Sequence, residues 1–289
     1  MTSPISSPPI SRSASRPTTA VILAAGLGTR MRSASPKAQH LLGGRPMIAH
    51  LIATAKEVFD HIVVVVGPGM DELARLCAPH AIVVQEDRLG TGHAARQAAD
   101  LFGNGDVAVL YADNPLITAS TMRRLLDARR TPGTVLALLA MRPPEPGRYG
   151  RVVTDGERVL RIVEWKDAND EERGIGLCHA GVLCADAGDL RHWLSEIRAD
   201  NAQKEYYLTD VVALAARRGS VRCVEAPEAE LAGINSRAEL ARAEGTLQTR
   251  LRDAALEAGV TLVAPETVFF STDTVLESDV VVEPHVVFG

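Results

Sequence analysis

The segment Ala20-Val21-Ile22-Leu23-Ala24-Ala25-Gly26-Leu27-Gly28-Thr29-Arg30-Met31, followed by Ser35-Pro36-Lys37, decides how the chain is read. Residues 21–25 are apolar without a break, as in a strand covered on both faces of a parallel sheet. Gly26 and Gly28 lack a Cβ, so the backbone can turn sharply there and come close to a ligand. Backbone N–H groups freed in such a turn form an anion cradle, which side-chain cations deepen. Arg30 offers a planar fork to phosphate oxygens, and Lys37 a compact point charge. Met31 stands where a dinucleotide fingerprint has its third glycine, and no G-K-[ST] ending follows, so neither common glycine-loop pattern is met. The expectation is a phosphate-rich ligand at the carboxyl end of the first strand.

Downstream, strand-like and helix-like patterns alternate. Met47, Ile48, Leu51, Ile52 and Ala55 recur at helical spacing, residues 62–66 read as a buried strand, and residues 81–84 as another. The loop Gln85-Glu86-Asp87-Arg88-Leu89-Gly90-Thr91-Gly92 leads into an alanine-rich helix, which Thr91 could cap. Residues 107–111 form a fourth strand ending at Ala112-Asp113-Asn114-Pro115. A carboxylate at the end of a buried strand suits a metal, or equally a turn cap before proline. Such alternation argues for a mainly parallel sheet with helices on both faces and ligands at the carboxyl ends of the strands. A hairpin turns at Asp155-Gly156. Near the end, Ser236 and Glu239 have capping-box spacing for a helix running to about Glu257, with Leu240, Ala243, Leu247, Leu251 and Ala254 on one stripe.

Several spaced strings, taken together, resemble the bacterial N-acetylglucosamine-1-phosphate uridylyltransferases, within the sugar-nucleotide pyrophosphorylases. These are G-L-G-T-R-M with S-P-K, L-G-T-G-H-A, Y-A-D-N-P-L, E-W-K-D-A, N-A-Q-K-E-Y-Y-L-T-D and G-I-N-S-R. The resemblance covers residues 20–250. It implies a Rossmann-like α/β nucleotidyltransferase with a mixed, mainly parallel sheet, plus the start of a C-terminal left-handed β-helix. By resemblance, Ala25, Gly26, Gln85, Gly90 and Thr91 bind the nucleotide, and Arg30 and Lys37 are catalytic, gripping the triphosphate. Gly150, Glu164, His179, Tyr207 and Thr209 hold the sugar, and Asp113 and Asn235 hold Mg²⁺. A carboxylate such as Glu164 can accept hydrogen bonds from adjacent hydroxyls; its bland alternative is an ion pair with Lys166 or Arg161. Two positions depart from the family. Ala112 replaces a glycine, and His179 replaces an asparagine expected to reach the sugar.

Composition bounds the rest. The 289 residues are 46% hydrophobic and 23% charged, with a formal net charge of -5, so generic nucleic-acid binding is not favoured. The four cysteines lack C-x-x-C spacing, which points to buried thiols in a reduced, cytoplasmic setting. No apolar run is long enough for a membrane span. Residues 1–19 are Ser- and Pro-rich and read as a disordered lead-in. Residues 20–235 then form the transferase domain, 236–259 a linker helix and 260–289 incipient β-helix coils. The expected reaction joins UTP and N-acetylglucosamine 1-phosphate into UDP-N-acetylglucosamine and pyrophosphate. The alternatives are the same chemistry on another sugar 1-phosphate, or a non-catalytic nucleotide-binding homologue. Neither acetyltransferase activity nor an oligomer through a complete β-helix is expected.

Overall fold

The structure, a computed structural model, describes residues 16–289. Most of the proposed lead-in lies outside the described residues. Its last part does not behave as a lead-in, because Thr18 and Thr19 are buried in the first strand and hydrogen-bonded to Asp60 and to the Phe102 carbonyl.

In chain order the first half comprises β1 (Thr18–Leu23), β2 (Leu41–Leu42), β3 (Arg45–Pro46), α1 (Met47–Lys56), β4 (His61–Val66), α2 (Asp71–Leu76), β5 (Ala81–Val84), α3 (Thr91–Gln97), β6 (Asp106–Tyr111) and α4 (Ala119–Arg130). There follow β7 (Thr134–Met141), β8 (Arg151–Asp155), β9 (Arg158–Val163), α5 (Asp170–Arg173), β10 (Cys178–Asp186), α6 (Ala187–Glu196), α7 (Asp210–Ala216), β11 (Ser220–Glu225) and α8 (Glu228–Leu231). The chain closes with α9 (Arg237–Glu257), β12 (Thr261–Leu262) and β13 (Val281–Val282).

The main sheet runs β11-β7-β10-β6-β1-β4-β5. β6, β1, β4 and β5 are mutually parallel, whereas β10 is antiparallel to both β6 and β7. The β8–β9 hairpin attaches through β8 to β10. The sheet is therefore mixed and mainly parallel, as the alternating pattern implies.

Alternation along each strand splits the core into two layers. Ala20, Ile22, Ala108 and Leu110 face one side, where α1 and α4 cover them through Ile48, Leu51, Met122 and Leu125. Val21, Val107 and Val109 face the other, under α3, α6 and α7 through Ala95, Trp193 and Val212. Burial on both faces explains why these strands read as apolar runs rather than alternating ones. The cysteines are free, with Cys77, Cys178 and Cys184 buried. Among the described residues no helix is long and apolar enough to cross a membrane.

α9 docks by the stripe read from sequence: Leu240, Ala243, Leu247 and Leu251 gather around Leu42, Met47, Leu116 and Ile234. Its capping differs from the expected box by one residue. Ser236 accepts from the Glu239 N–H, but the Glu239 carboxylate accepts from Asn235 N, not from Ser236. Beyond α9, Thr261 and Leu262 lie parallel to Val281 and Val282, and Phe269 bridges Val287, around a small apolar centre of Val260, Val268 and Phe270.

β10 carries a bulge between His179 and Leu183. Gly181 lies within it at φ +78°, and a Cβ there would stand 2.5 Å from the Tyr111 ring. Both the left-handed backbone and that ring demand glycine. Gly181→Ala is expected to destabilise the protein by about 2 kcal/mol, read as a lower urea midpoint at unchanged m-value.

Candidate active site

The loops after β1, β5 and β6 emerge at one edge of the sheet, because these strands are parallel. In the first loop Gly28 sits at φ +62°, and a Cβ there would lie 2.6 Å from Lys37 Cβ. The missing side chain lets residues 26–30 fold over the backbone that carries Lys37. Ala24 N donates to Val65 O at 2.7 Å, Gln85 N to Val66 O at 2.8 Å and Ala112 N to Leu23 O at 3.1 Å, so each of the three loops is pinned at its root to a neighbouring strand.

Asp113 follows β6, and Asn235 comes from the distant loop before α9. Two bonds bring them together: Ile234 N donates to Asp113 O at 2.8 Å, and Asn114 Nδ2 donates to Leu231 O at 2.6 Å. Lys37 Nζ then donates to Asp113 Oδ2 at 2.5 Å and to Asn235 Oδ1 at 2.8 Å. Lys37 and Asp113 side chains each keep 17% of their exposure, so the pair is shielded from bulk water without being sealed from ligand.

Two clefts meet at this cluster. The smaller, about 310 Å³, is walled by Ala25, Gly26, Lys37, Gln85, Gly90, Thr91 and Asp113. The larger, about 1400 Å³, includes Arg30, Glu164, Lys166, Asn235 and Glu239 in its wall. All five residues expected to bind the nucleotide thus line one cleft, with Lys37 and Asp113. Arg30 and Asn235 face the other. Arg30 is exposed and makes no hydrogen bond or ion pair among the described residues.

This is a glycine turn with backbone amides and cations at the carboxyl ends of parallel strands, beside a carboxylate that converges with an amide on a positive charge. Residues 20–174 match the MobA-like NTP transferase domain. The chain belongs to that family. It is 69% identical to the Bifunctional protein GlmU of Gluconobacter oxydans over 94% of this chain and 61% of that protein. It is 66% identical to the same-named protein of Gluconacetobacter diazotrophicus, again over 94% of this chain and 60% of the relative. The chain therefore spans about three fifths of the length of these curated relatives. A UDP-glucose pyrophosphorylase complexed with UDP-glucose superposes over 81% of this chain and 99% of its own, with TM-score 0.66 and 18% identity, which shows a shared fold.

The residues expected at the sugar are less simply placed. Glu164 lines the larger cleft and accepts from Thr209 Oγ1 at 2.9 Å; burial raises its carboxyl above the usual range. It is not ion-paired with Arg161, which bonds Glu172 instead. Gly150 backs Glu164, since a Cβ there would lie 3.4 Å from Oε2. Thr209 therefore acts through Glu164 and not at the cleft wall. Asp210 is the first residue of α7, and burial beside Asp167 raises its pKa to about 6.

Two of the residues expected at the sugar line neither cleft. Tyr207 is buried and lines neither cleft. His179 is 5% exposed on β10, opposite Ala140 in β7, and lines neither cleft. The antiparallel pairing of β10 between β6 and β7 carries its side chain into the interior; its backbone N–H donates to Gly150 O at 2.8 Å.

Three residues that motif matching passed over support the site. Arg88 Nε donates to the Ala25 carbonyl at 2.8 Å, tying the glycine loop to the loop after β5. Tyr149 accepts at its hydroxyl from Gly233 N at 3.2 Å. Arg151, 1% exposed and without an acidic partner, donates to the carbonyls of Pro146, Gly147, Tyr149 and Arg173. It holds the loop whose residues Gly147, Arg148 and Tyr149 border the larger cleft. Its one legible signal is an arginine after Tyr-Gly at a strand start, which resembles any solvated cation.

His179 generates a pH prediction. Burial lowers its pKa from 6.5 to about 4, outweighing the Leu139 backbone carbonyl, which acts to raise it. The unfolded chain binds this proton more readily, so stability is full above pH 6.5 and falls as pH drops toward 4. His179→Asn is expected to flatten unfolding free energy across that window by on the order of 3 kcal/mol at most, measured by urea titration at several pH values.

Proposed function

We propose that the chain transfers a uridylyl group from UTP to N-acetylglucosamine 1-phosphate, releasing pyrophosphate, and that residues 18–235 are the transferase domain that does so. The observation that carries this is the Lys37 ammonium shared by Asp113 and Asn235 where the two clefts meet. One cleft is suited to a nucleotide and the other to a second, hydroxyl-bearing anion. Both open onto one charged point.

Asp113 and Asn235 also fit a divalent cation. Each offers a hard oxygen, and the two already converge on one positive charge. Among the described residues no group of three or more His, Cys, Asp or Glu side chains is placed to cage a metal. That donor set suits Mg²⁺, which completes its shell with phosphate oxygens and water. When bound, Mg²⁺ would neutralise the phosphates and raise the electrophilicity of the α-phosphorus.

The chain's own residues supply alignment and charge. The amides at Ala25 and Gly26 line the cleft suited to the nucleotide, the Arg30 guanidinium reaches phosphate oxygens from the larger cleft where the two meet, and Lys37 stabilises the charge that grows on the departing pyrophosphate. Glu164, oriented by Thr209, accepts hydrogen bonds from sugar hydroxyls and orients the 1-phosphate toward the nucleotide. The oxygen of that phosphate is already an anionic nucleophile and attacks the α-phosphorus in line. The bond to the pyrophosphate oxygen breaks on the opposite side, and no protein base is required. The buried position of His179 removes the motive for assigning a different sugar on its account.

Pyrophosphate release with UTP, N-acetylglucosamine 1-phosphate and Mg²⁺ tests the reading. Asp113→Ala is expected to lower turnover by roughly 100-fold or more, and a chelator to abolish it until Mg²⁺ returns. Activity with neither this sugar phosphate nor UTP would refute the assignment. Thr209→Val frees Glu164 without removing it, and is expected to raise KM for the sugar phosphate roughly tenfold while leaving KM for UTP within about twofold.

A further inference from the structure

Gln85 follows β5 and is 3% exposed, yet its side chain reaches the wall of the smaller cleft. One terminal atom of its amide lies 3.1 Å from the Gly90 carbonyl oxygen and 3.0 Å from His93 Nδ1. A carbonyl oxygen can only accept, so that atom is the NH2 group; an amide oxygen there would oppose lone pair to lone pair. The Gly90 carbonyl is not free to swing away. Tyr206 N donates to Leu89 O at 2.8 Å, and Tyr206 O accepts from Gly92 N at 2.7 Å, bolting the loop on both sides.

Once the NH2 group is placed, His93 Nδ1 must accept, and the imidazole proton must sit on Nε2. The Gln97 amide nitrogen is placed 3.1 Å from Nε2, so this exposed amide must turn to meet that proton with its oxygen. Partial burial and the charge of Arg96 hold the His93 pKa below its ordinary value, which keeps the ring neutral and accepting. Both hydrogens of the Gln85 NH2 are thus engaged. Its oxygen, Oε1, has no partner among the described residues and is the group left for a ligand in the cleft.

We propose that His93 is a positioning residue for nucleobase selection, locking the Gln85 amide so that its oxygen accepts from the ring N–H of uracil. This rests on the uridylyl-transfer reading above. Uracil carries a proton at N3, whereas cytosine presents a lone pair there. To meet cytosine N3, Gln85 must rotate its amide by a half-turn. That rotation sets its oxygen against the Gly90 carbonyl and gives up the bond there; it also sets it against the His93 Nδ1 lone pair, which the ring relieves only by moving its proton from Nε2 to Nδ1. Without the His93 acceptor, Gly90 alone opposes the flip.

The test is calorimetric binding of UTP and CTP, each with Mg²⁺, to the full chain and its variants. His93→Phe keeps a ring beside Tyr206, 6.2 Å away between centroids, but removes the acceptor. His93→Asn returns an amide oxygen near the Nδ1 position. The ratio of CTP to UTP dissociation constants is expected to fall roughly five- to tenfold in His93→Phe and to recover in His93→Asn. His93→Leu, compared in the same way, serves if the phenylalanine variant does not fold. A merely structural histidine would weaken both nucleotides alike; an unchanged ratio in a protein that prefers UTP overturns the role of His93 alone. Equal binding of UTP and CTP by the unmodified chain overturns the uracil reading, and this proposal with it.

Discussion

Everything at the active site depends on one charge being shared by two oxygens from distant parts of the chain. Lys37 comes from the loop after β1, Asp113 from the end of β6 and Asn235 from the turn before α9. A half-shielded ammonium must have such partners, because desolvation without compensation is costly. The same condition makes the point valuable for catalysis. A site that tolerates positive charge between two oxygens, open to ligand on either side, is prepared for polyphosphate.

The fold meets that requirement by pinning loops at their roots and leaving their tips open. The parallel order of β6, β1, β4 and β5 sends the loops after β1, β5 and β6 to one edge, and backbone bonds from Ala24, Gln85 and Ala112 fix their bases. Ile234 and Asn114 then hold the loop before α9 against the end of β6. Glu239 adds a further brace. Its carboxylate holds the Asn235 backbone while Ser236 caps the helix, so the Asn235 side chain is left for Lys37. The larger cleft is supported in the same way, by Arg151 beneath its rim and Thr209 behind Glu164. These braces share a logic. Functional side chains are presented by neighbours that have used their own hydrogen-bonding capacity on backbone or on one another.

Much of this was legible before the structure was in view. The buried strands show as unbroken apolar runs because both of their faces are covered, and the α9 stripe shows because one face alone is covered. The residues expected to bind the nucleotide sit close in sequence to the ends of those strands, so locating the strands brings them to the wall of one cleft. His179 and Tyr207, expected at the sugar, lie away from both clefts for a different reason. Matching a string assigns a residue to a position but not to a side of the sheet, and β10 lies between two strands with both faces buried. Arg151 escaped notice because its acceptors are backbone carbonyls, which leave no mark in a sequence.

What the sequence by itself determined is the order of buried strands, the glycine turn with its cations, and the set of oxygen and nitrogen groups available for chemistry. These follow from local hydrophobic period and backbone freedom, which neighbouring residues specify. Only the tertiary structure decided that Asp113 and Asn235, 122 positions apart in the chain, share one ammonium, and that the Gln85 amide has one permitted orientation. The physical reason is that a hydrogen bond between loops is set by sheet order and strand direction, and sheet order is a property of the packed chain rather than of any segment in it.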